Sequence, residues 1–326
     1  AITNSVGNGL WEFSTNGGGS WTSVGTVSGS QALLLRSTDL VRYTGDGISG
    51  ETASLSYHAW DQSGATAGQQ GTKHDLLTTG TGTDKPFSVG TDAVSLTVSD
   101  VNDAPTLAAA APSLGTIDED STSAGTDIAT VVGTTISDVD AGAIEGIAIT
   151  GTTGNGLWEY STNAGASWTS VGVVDASNTL LLRDVDQIRY TGDGLNSETA
   201  TFTYHAWDQT GATAGAEGTK VTLGTPGGTS PYSNSTNTGS ITISDVNDAP
   251  TLAAAAPSLG TIDEDSTSAG TDIATVVGTT ISDVDAGAIE GIAITGTTGN
   301  GLWEYSTNAG ASWTSVGVVD ASNTLL

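Results

Sequence analysis

The sequence contains neither cysteine nor methionine, and basic residues are scarce. Without cysteine there can be no disulfide framework, no thiolate metal site and no cysteine nucleophile. Because methionine is absent, we expect the 326 residues to be a piece of a longer or processed chain. Seven lysine and arginine residues stand against 36 aspartate and glutamate residues, which gives a formal net charge of −29. Such a charge repels nucleic-acid phosphates and anionic lipid surfaces, so neither is an expected partner.

Long hydrophobic runs are also missing. The longest, residues 107–111, is much shorter than the roughly 20 apolar residues that span a bilayer, and Pro112 follows it. We therefore expect no membrane insertion.

Internal repetition determines the organisation of the chain. Residues 100–181 recur unchanged as residues 245–326, a period of 245 − 100 = 145. A diverged copy lies ahead of them: Y-H-A-W-D at 57–61 matches 204–208, an offset of 204 − 57 = 147. The later copy has therefore lost two residues, which we place between Lys220 and Ile241.

These offsets divide the chain into three units. We expect residues 1–101 to be the C-terminal part of a first unit, 102–246 a complete second unit, and 247–326 the N-terminal part of a third. Both ends fall inside a unit, as in a window taken from a long tandem array. Near-identical neighbours favour use as a spacer, because a stalk gains length from each copy whereas a catalyst rarely needs many. We expect no enzyme activity and no catalytic residues.

The local pattern indicates β structure throughout. Apolar and polar residues alternate with period two at 147–150, 201–204 and 240–243, and Gly, Asn and Asp clusters separate such runs. Between Pro105 and Pro112 the alanine run is expected to be extended. The sequence predicts an all-β fold with one β-sandwich per unit and no helix beyond a single turn.

One hairpin is identifiable from its turn residues. The segment S-T-N-A-G-A-S-W at 161–168 has the form of an Asp-box. It recurs at 14–21 and 306–313. Asn163 can cap the turn through its side chain, Gly165 can take a positive φ, and Trp168 can pack beneath. The motif resembles the structural Asp-boxes of sialidase propellers, but the arginine cluster of a sialidase site is missing.

Aromatic residues leave two interpretations open. Trp158, Trp168 and Trp207 are expected to be mostly buried, because the chain has few other large side chains, with only three Phe. The alternative is a glycan-binding array that uses exposed Trp and Tyr. His58 and His205 occupy one equivalent strand position and are expected to be packed or surface imidazoles.

Oxygen-bearing side chains cluster at the unit boundaries. Asp100, Asn102 and Asp103 fall within four residues ahead of Pro105, and a D-x-D follows at Asp138, 38 residues after Asp100 (138 − 100). The second boundary has the same spacing (283 − 245 = 38). Ca²⁺ takes about 6–8 oxygen ligands, so this composition suits a hard cation. The alternative is that the acids only keep the protein soluble.

These motifs carry a family resemblance over essentially the whole chain. They are D-V-N-D-A-P-T at 100–106, I-D-E-D at 117–120, D-V-D-A-G at 138–142 and Y-H-A-W-D-Q-T-G at 204–211. The boundary is similar to the linkers of cadherins, and the chain more closely resembles the cadherin-like tandem repeats of giant bacterial surface adhesins. The resemblance implies Ig/cadherin-like sandwiches in a linear array, joined by Ca²⁺. It implies a stalk or structural spacer of an adhesin, or a filament or biofilm matrix protein, at the bacterial cell surface after type I secretion.

The same resemblance implies partners and a ligand set. Neighbouring repeats of the same chain are the expected partners, with lateral self-assembly and host or matrix glycans left open. The first joint would use Glu51, Asp100, Asn102, Asp103, Asp138, Asp140 and Asp208. The second joint would use Glu119, Glu198, Asp245, Asn247, Asp248, Asp283 and Asp285. Glu119 belongs to the N-terminal strand of its own unit and is expected to serve the joint that follows.

Overall fold

The structure is a computed structural model that describes residues 1–140 and 142–326. It is 36% strand and 6% helix, which confirms the predicted all-β class. The first unit contains β1 (Ile2–Val6), β2 (Leu10–Ser14), β3 (Thr22–Ser23), β4 (Ala32–Leu33), β5 (Leu40–Thr44), β6 (Glu51–Trp60), β7 (Lys73–His74), α1 (Leu76–Thr79) and β8 (Phe87–Val98).

The complete unit carries the longest strands. It contains β9 (Thr106–Leu107), β10 (Ser113–Asp118), β11 (Thr126–Asp127), α2 (Ile128–Val132), β12 (Ile136–Ser137), β13 (Gly146–Thr152), β14 (Leu157–Ser161), β15 (Thr169–Ser170), β16 (Thr179–Arg183), β17 (Gln187–Thr191), β18 (Glu198–Trp207), β19 (Lys220–Val221) and β20 (Tyr232–Ser244). The third unit contains β21 (Thr251–Leu252), α3 (Ile273–Val277), β22 (Ile281–Ser282), β23 (Glu304–Tyr305) and β24 (Thr314–Ser315).

The helices are short. Helices α2 and α3 have five residues each, slightly more than the 3.6 residues of one turn, so the expected single-turn limit is narrowly exceeded. Helix α2 ends at Gly133, whose φ of +55° suits glycine. No helix in the described part of the chain is long and apolar enough to cross a membrane.

Two sheets of the complete unit enclose one core. The larger has the order β10-β20-β18-β13-β16-β19, and the smaller has the order β11-β17-β14-β15. Ile147 and Phe202 of the larger sheet share a buried cluster with Trp158 and Tyr190 of the smaller one. The Trp158 ring lies 5.1 Å from that of Phe202 and 4.9 Å from that of Tyr190, measured between centroids. Aromatic packing therefore joins the two layers.

The first strand of the larger sheet, β10, runs parallel to its last strand, β20. Thr116 pairs with Thr242, and Asp118 pairs with Ser244 at the end of β20. Because the two strands run in the same direction, β10 ends at the same end of the sheet as β20, where the chain leaves the unit. Residues that follow β10 consequently lie beside the start of the next linker.

The Asp-box hairpin has the predicted local structure. The Asn163 Oδ1 accepts hydrogen bonds from the Ser167 N–H (2.9 Å) and the Ser161 hydroxyl (2.8 Å). Gly165 has a φ of +81°. Trp168 is only partly buried, and the Arg189 guanidinium stacks on its ring at 4.1 Å. The hairpin is thus a capped turn over a tryptophan that keeps contact with solvent.

The other expected core residues behave as predicted. Trp158 and Trp207 are 5% and 0% exposed. His205 is buried, and its Nδ1 lies 2.7 Å from the Ser233 carbonyl oxygen, so it is a packed imidazole. In the third unit Trp303 is 49% exposed.

At one pair of facing residues, the first unit and the complete unit divide the same packing volume differently between the two side chains. Phe202 pairs with Gly239 in the complete unit, whereas Leu55 pairs with Val94 at the equivalent place in the first unit. A Cβ atom on Gly239 would lie 2.4 Å from the Phe202 ring. The larger aromatic side chain therefore requires glycine opposite, while leucine leaves room for valine.

We expect Gly239→Val to destabilise the complete unit by about 1–3 kcal/mol, because the added side chain overpacks against Phe202. The double variant Gly239→Val with Phe202→Leu copies the first unit's pair and should recover much of the loss. Urea denaturation monitored by tryptophan fluorescence measures both. Thr238→Val, at an exposed neighbouring position, is the matched control. Equal destabilisation of the single and double variants would contradict this division of volume.

Candidate metal centre at the unit joints

Glu119 reaches the second joint because of the parallel pairing of β10 with β20. Its backbone N–H donates to the Ser244 carbonyl at 3.0 Å, directly after β10 ends. The Gly194 N–H donates to the Glu119 carbonyl at 3.1 Å. Gly192 packs so closely that a Cβ there would lie 2.0 Å from the Glu119 carbonyl oxygen. The backbone of Glu119 is therefore fixed at the exit of its own unit, beside the joint that follows.

Three carboxylates from consecutive units meet at the second joint. Glu119 comes from the complete unit, Asp248 from the linker and Asp285 from the third unit, and one oxygen of each lies within 4.8 Å of the others. The Glu119 Oε1 accepts the Val246 N–H at 3.0 Å. The Asp248 N–H donates to Asp285 Oδ2 at 2.9 Å, and the Asp285 N–H donates to Asp283 Oδ1 at 3.0 Å.

The remaining oxygens of this triad lack partners. Glu119 Oε2, Asp248 Oδ2 and Asp285 Oδ1 are buried and form no hydrogen bond within residues 1–140 and 142–326. Glu119 is only 1% exposed. Buried carboxylate oxygens without a donor or a counter-charge are costly. An all-oxygen set of this kind fits a hard divalent cation such as Ca²⁺, which would satisfy the three oxygens.

Burial and mutual repulsion affect the proton affinity of the triad. Burial raises the pKa of Glu119, and the negative charges of Asp245, Asp248 and Asp120 raise it further, while the Val246 N–H opposes the shift. Burial likewise raises the pKa of Asp248, with a further rise from the charge of Asp285. Without a counter-ion, the cluster therefore favours protonation.

The first joint repeats much of this geometry. The Asp103 N–H donates to Asp140 Oδ2 at 2.8 Å, and the Asp140 N–H donates to Asp138 Oδ1 at 2.9 Å. Asp138 Oδ2 and Asp140 Oδ1 are buried without partners in the described part of the chain. Burial raises the pKa of Asp138, and the charges of Asp140 and Asp208 add to the rise. Asp138, Asp140 and Asp208 line a cavity of about 300 Å³.

At the first joint, the linker residue Asn102 forms hydrogen bonds with two loops of the complete unit. Asn102 Nδ2 donates to Asp208 Oδ2 at 3.0 Å and to the Ser230 carbonyl at 3.3 Å. The Thr210 hydroxyl donates to Asn102 Oδ1. At the second joint, Asn247 donates to the Asp248 carbonyl at 2.9 Å.

Two other predicted ligands, Glu198 and Glu51, accept hydrogen bonds within their own units. Both oxygens of Glu198 accept the Asn155 N–H, at 3.0 and 2.9 Å, and Glu198 also accepts the Tyr190 hydroxyl. Glu51 accepts the Asn8 N–H at 2.8 Å and the hydroxyl of the tyrosine equivalent to Tyr190.

The first aspartate of each linker faces the unit that it leaves. Asp100 Oδ1 accepts the Gly50 N–H at 2.7 Å, and Asp245 Oδ1 accepts the Ser197 N–H at 3.3 Å. The structure therefore assembles Asp103, Asp138, Asp140 and Asp208 at one joint and Glu119, Asp248, Asp283 and Asp285 at the other. It places Glu51 and Glu198 in hydrogen bonds within their own units, so their role as ligands remains a prediction.

Two residues outside the predicted ligand set contribute at the joints. Asp120 adds negative charge beside Glu119 and Asp248. Its signal was present, since it completes the I-D-E-D motif. Thr210 supports Asn102 through a hydroxyl, and no sequence pattern marks a single threonine for such a contact.

We expect the unfolding free energy of cation-free protein to fall as pH rises from about 4.3, the ordinary Glu pKa, through the raised pKa values of Glu119 and Asp248. In that window the folded state binds more protons than the unfolded state, so each step up in pH favours unfolding. Glu119→Gln should flatten this slope. The measurement is urea denaturation in EDTA between pH 4 and 7, with the exposed Glu290→Gln as control. An unchanged slope in Glu119→Gln would contradict the expectation.

Comparison with known proteins adds no family to this geometry. No protein-family model matches the chain, and no curated protein matches it. The chemistry of the joints is therefore inferred from the carboxylates themselves.

Proposed function

We propose that this chain is a calcium-stiffened extracellular segment of a large bacterial adhesin or of a surface filament or matrix protein, in which it acts as a stalk or structural spacer. Its units would be Ig/cadherin-like sandwiches in a linear array. The observation that carries the proposal is the triad of Glu119, Asp248 and Asp285, which draws one carboxylate from a unit, one from the linker and one from the next unit. Their buried oxygens have no hydrogen-bond donors, and a bound cation would compensate for that cost.

The physical effect of the ion follows from charge. Three carboxylates close together repel one another and push the two units apart when no cation is present. A divalent cation bound by oxygens of both units neutralises this repulsion and limits rotation about the linker. Each joint of the array would then resist bending, which is what a long stalk requires.

Calcium is favoured by the identity of the donor atoms. The triad and its neighbours Asp283 and Asp245 offer carboxylate oxygens, with no histidine among them. Zinc and copper prefer nitrogen or sulfur donors, whereas Ca²⁺ accepts irregular oxygen sets. Mg²⁺ also prefers oxygen ligands but demands near-ideal octahedral geometry. The affinity of the joint for Mg²⁺ must therefore be measured beside its affinity for Ca²⁺.

Absence of enzymatic activity is part of the proposal. The acidic residues lie at joints that repeat along the chain. Each repeat lengthens a stalk, whereas a catalyst rarely needs many equal copies. Export by a type I route and residence at the cell surface follow from the family resemblance and are proposed with it. Neighbouring repeats are the primary partners.

Glycan binding on exposed aromatics finds less support in the complete unit. Trp158 and Trp207 are core residues there. Trp168 is covered on one face by the Arg189 guanidinium, and Arg189 is itself paired with Glu159 at 2.8 Å. No specific observation therefore favours a sugar-stacking platform in this unit.

We expect Asp248→Asn and Asp285→Asn each to weaken Ca²⁺ binding at the second joint by about tenfold or more, because each removes a ligand charge. Calorimetric titration of EDTA-treated protein with Ca²⁺, and separately with Mg²⁺, measures the affinities. Asp265→Asn, an exposed acid of the same unit, is the matched control. Far-ultraviolet circular dichroism should be unchanged in all three variants.

Small-angle scattering provides the independent test of stiffening. Chelation should broaden or shorten the distribution of interatomic distances in the unmodified protein, and it should have less effect on Asp285→Asn. If elemental analysis finds no bound Ca²⁺ and EDTA leaves the scattering curve unchanged, the calcium-joint function is wrong and the acids are surface charge.

A further inference from the structure

The strands that bring the chain into and out of the complete unit are direct neighbours. Strand β10 follows the entering linker and β20 precedes the leaving one, and they run parallel, with Ser113 opposite Ser240 and Asp118 opposite Ser244. Tension along the chain pulls the start of β10 towards the entrance of the unit and the end of β20 towards its exit. Because the strands are parallel, these forces act in opposite directions along one axis and shear the strands past each other.

Backbone hydrogen bonds close this strand pair at both ends. The Ser240 N–H donates to the Pro112 carbonyl at 3.0 Å ahead of β10, and the Glu119 N–H donates to the Ser244 carbonyl at 3.0 Å behind it. The bonds of a parallel pair are evenly spaced along the strands. A shearing force is therefore shared among all of them, whereas a force across the strands acts on one end bond at a time.

A buried side chain continues the contact ahead of β10. Asn237 of β20 is 5% exposed, and its Nδ2 donates to the Ala108 carbonyl at 2.9 Å. Its Oδ1 accepts the Ala110 N–H at 3.1 Å. Buried hydrogen bonds are costly to break when no water can replace the lost partner. The segment that leads into β10 is thus held to β20 as well.

The register of β10 is fixed by a bulge. The pairing with β20 shifts between Ser113 and Thr116, and Gly115 between them has a φ of +94°. Leu114 and Ile117, three residues apart, consequently both pack against the core of the unit. A bulge pins the register of a strand, and a slip by one residue would turn apolar side chains outwards. Sliding of β10 along β20 therefore disrupts the core as well as the hydrogen bonds.

We propose that the pairing of residues 108–119 with residues 237–244, here called the shear clamp, sets the tension at which the complete unit unfolds. The clamp opens only when its hydrogen bonds and its core contacts are lost together. This role goes beyond the stiffening of the joints, because stiffening opposes bending between units whereas the clamp opposes extension of one unit.

A bound cation would lock the shear clamp at its exit end. Glu119 ends the first segment of the clamp, Asp248 lies in the linker that follows β20, and their carboxylates meet with that of Asp285. Shear draws Glu119 towards the entrance and away from Asp248. An ion held by both carboxylates resists this movement. The ion's contribution rests on the proposed function, whereas the clamp itself does not.

The cysteine-free chain allows the direction of pulling to be chosen. Two full-length double-cysteine variants are coupled to DNA handles and stretched in optical tweezers at one speed in EDTA. Ala111→Cys with Ala249→Cys applies force along β10 and β20, as tension along the chain does. Ala111→Cys with Thr238→Cys applies force across the two strands. All three positions are exposed, and urea denaturation should give the two variants equal stability.

We expect the complete unit to open at a force about twofold or more higher when it is pulled along the strands, because forced unfolding depends on the barrier in the direction of the force. In EDTA this difference comes from the backbone and core contacts alone. Equal opening forces in the two geometries, or a higher force across the strands, would overturn the shear clamp.

Calcium supplies the second readout. Ca²⁺ should raise the opening force along the strands and leave the force across them unchanged. In Glu119→Gln the force along the strands in Ca²⁺ should fall to the value in EDTA, whereas the exposed Glu290→Gln should retain the rise. If calorimetry shows Ca²⁺ binding but the force does not rise, the lock at Glu119 is wrong. If no Ca²⁺ binds, the proposed function is wrong, and the comparison in EDTA still decides the clamp.

Discussion

The parallel pairing of β10 with β20 is the constraint on which the candidate site depends. It carries the chain from the entrance of the complete unit to its exit and leaves Glu119 beside Ser244. An antiparallel neighbour at this edge would have returned Glu119 towards the entrance. Only because entrance and exit segments run side by side can a residue near the start of a unit share a cluster with the linker that ends it.

The electrostatic cost of buried carboxylates explains why the joint would bind a cation. The net charge of −29 would by itself need no explanation beyond solubility, but a buried carboxylate that lacks a donor is costly. Glu119, Asp248 and Asp285 each bury such an oxygen, and the pKa values of Glu119 and Asp248 are raised. Both observations show that carboxylates are held in buried positions, where water cannot solvate their negative charge. A cation shared between units relieves this cost, and the relief is available only when the units are held together.

Different side chains can preserve one packing volume. Phe202 faces Gly239 in the complete unit, and Leu55 faces Val94 at the equivalent place in the first unit. The unit is thus specified by pairings between its strands more than by any single segment.

The sequence by itself determined the all-β class, the capped Asp-box turn at Asn163 and the acid-rich linkers, because each depends on local alternation or turn chemistry. Through the family resemblance it also predicted that Asp103 and Asp140 belong to one joint, and in the structure the Asp103 N–H donates to Asp140 Oδ2. Only the tertiary structure decided that Glu119 joins the second triad while Glu198 bonds to Tyr190 and Asn155. It likewise decided that Trp168 stays partly exposed beneath Arg189. The physical reason is that a side chain's partner depends on which distant strands pair, and the alternation of residues along one strand does not contain that information.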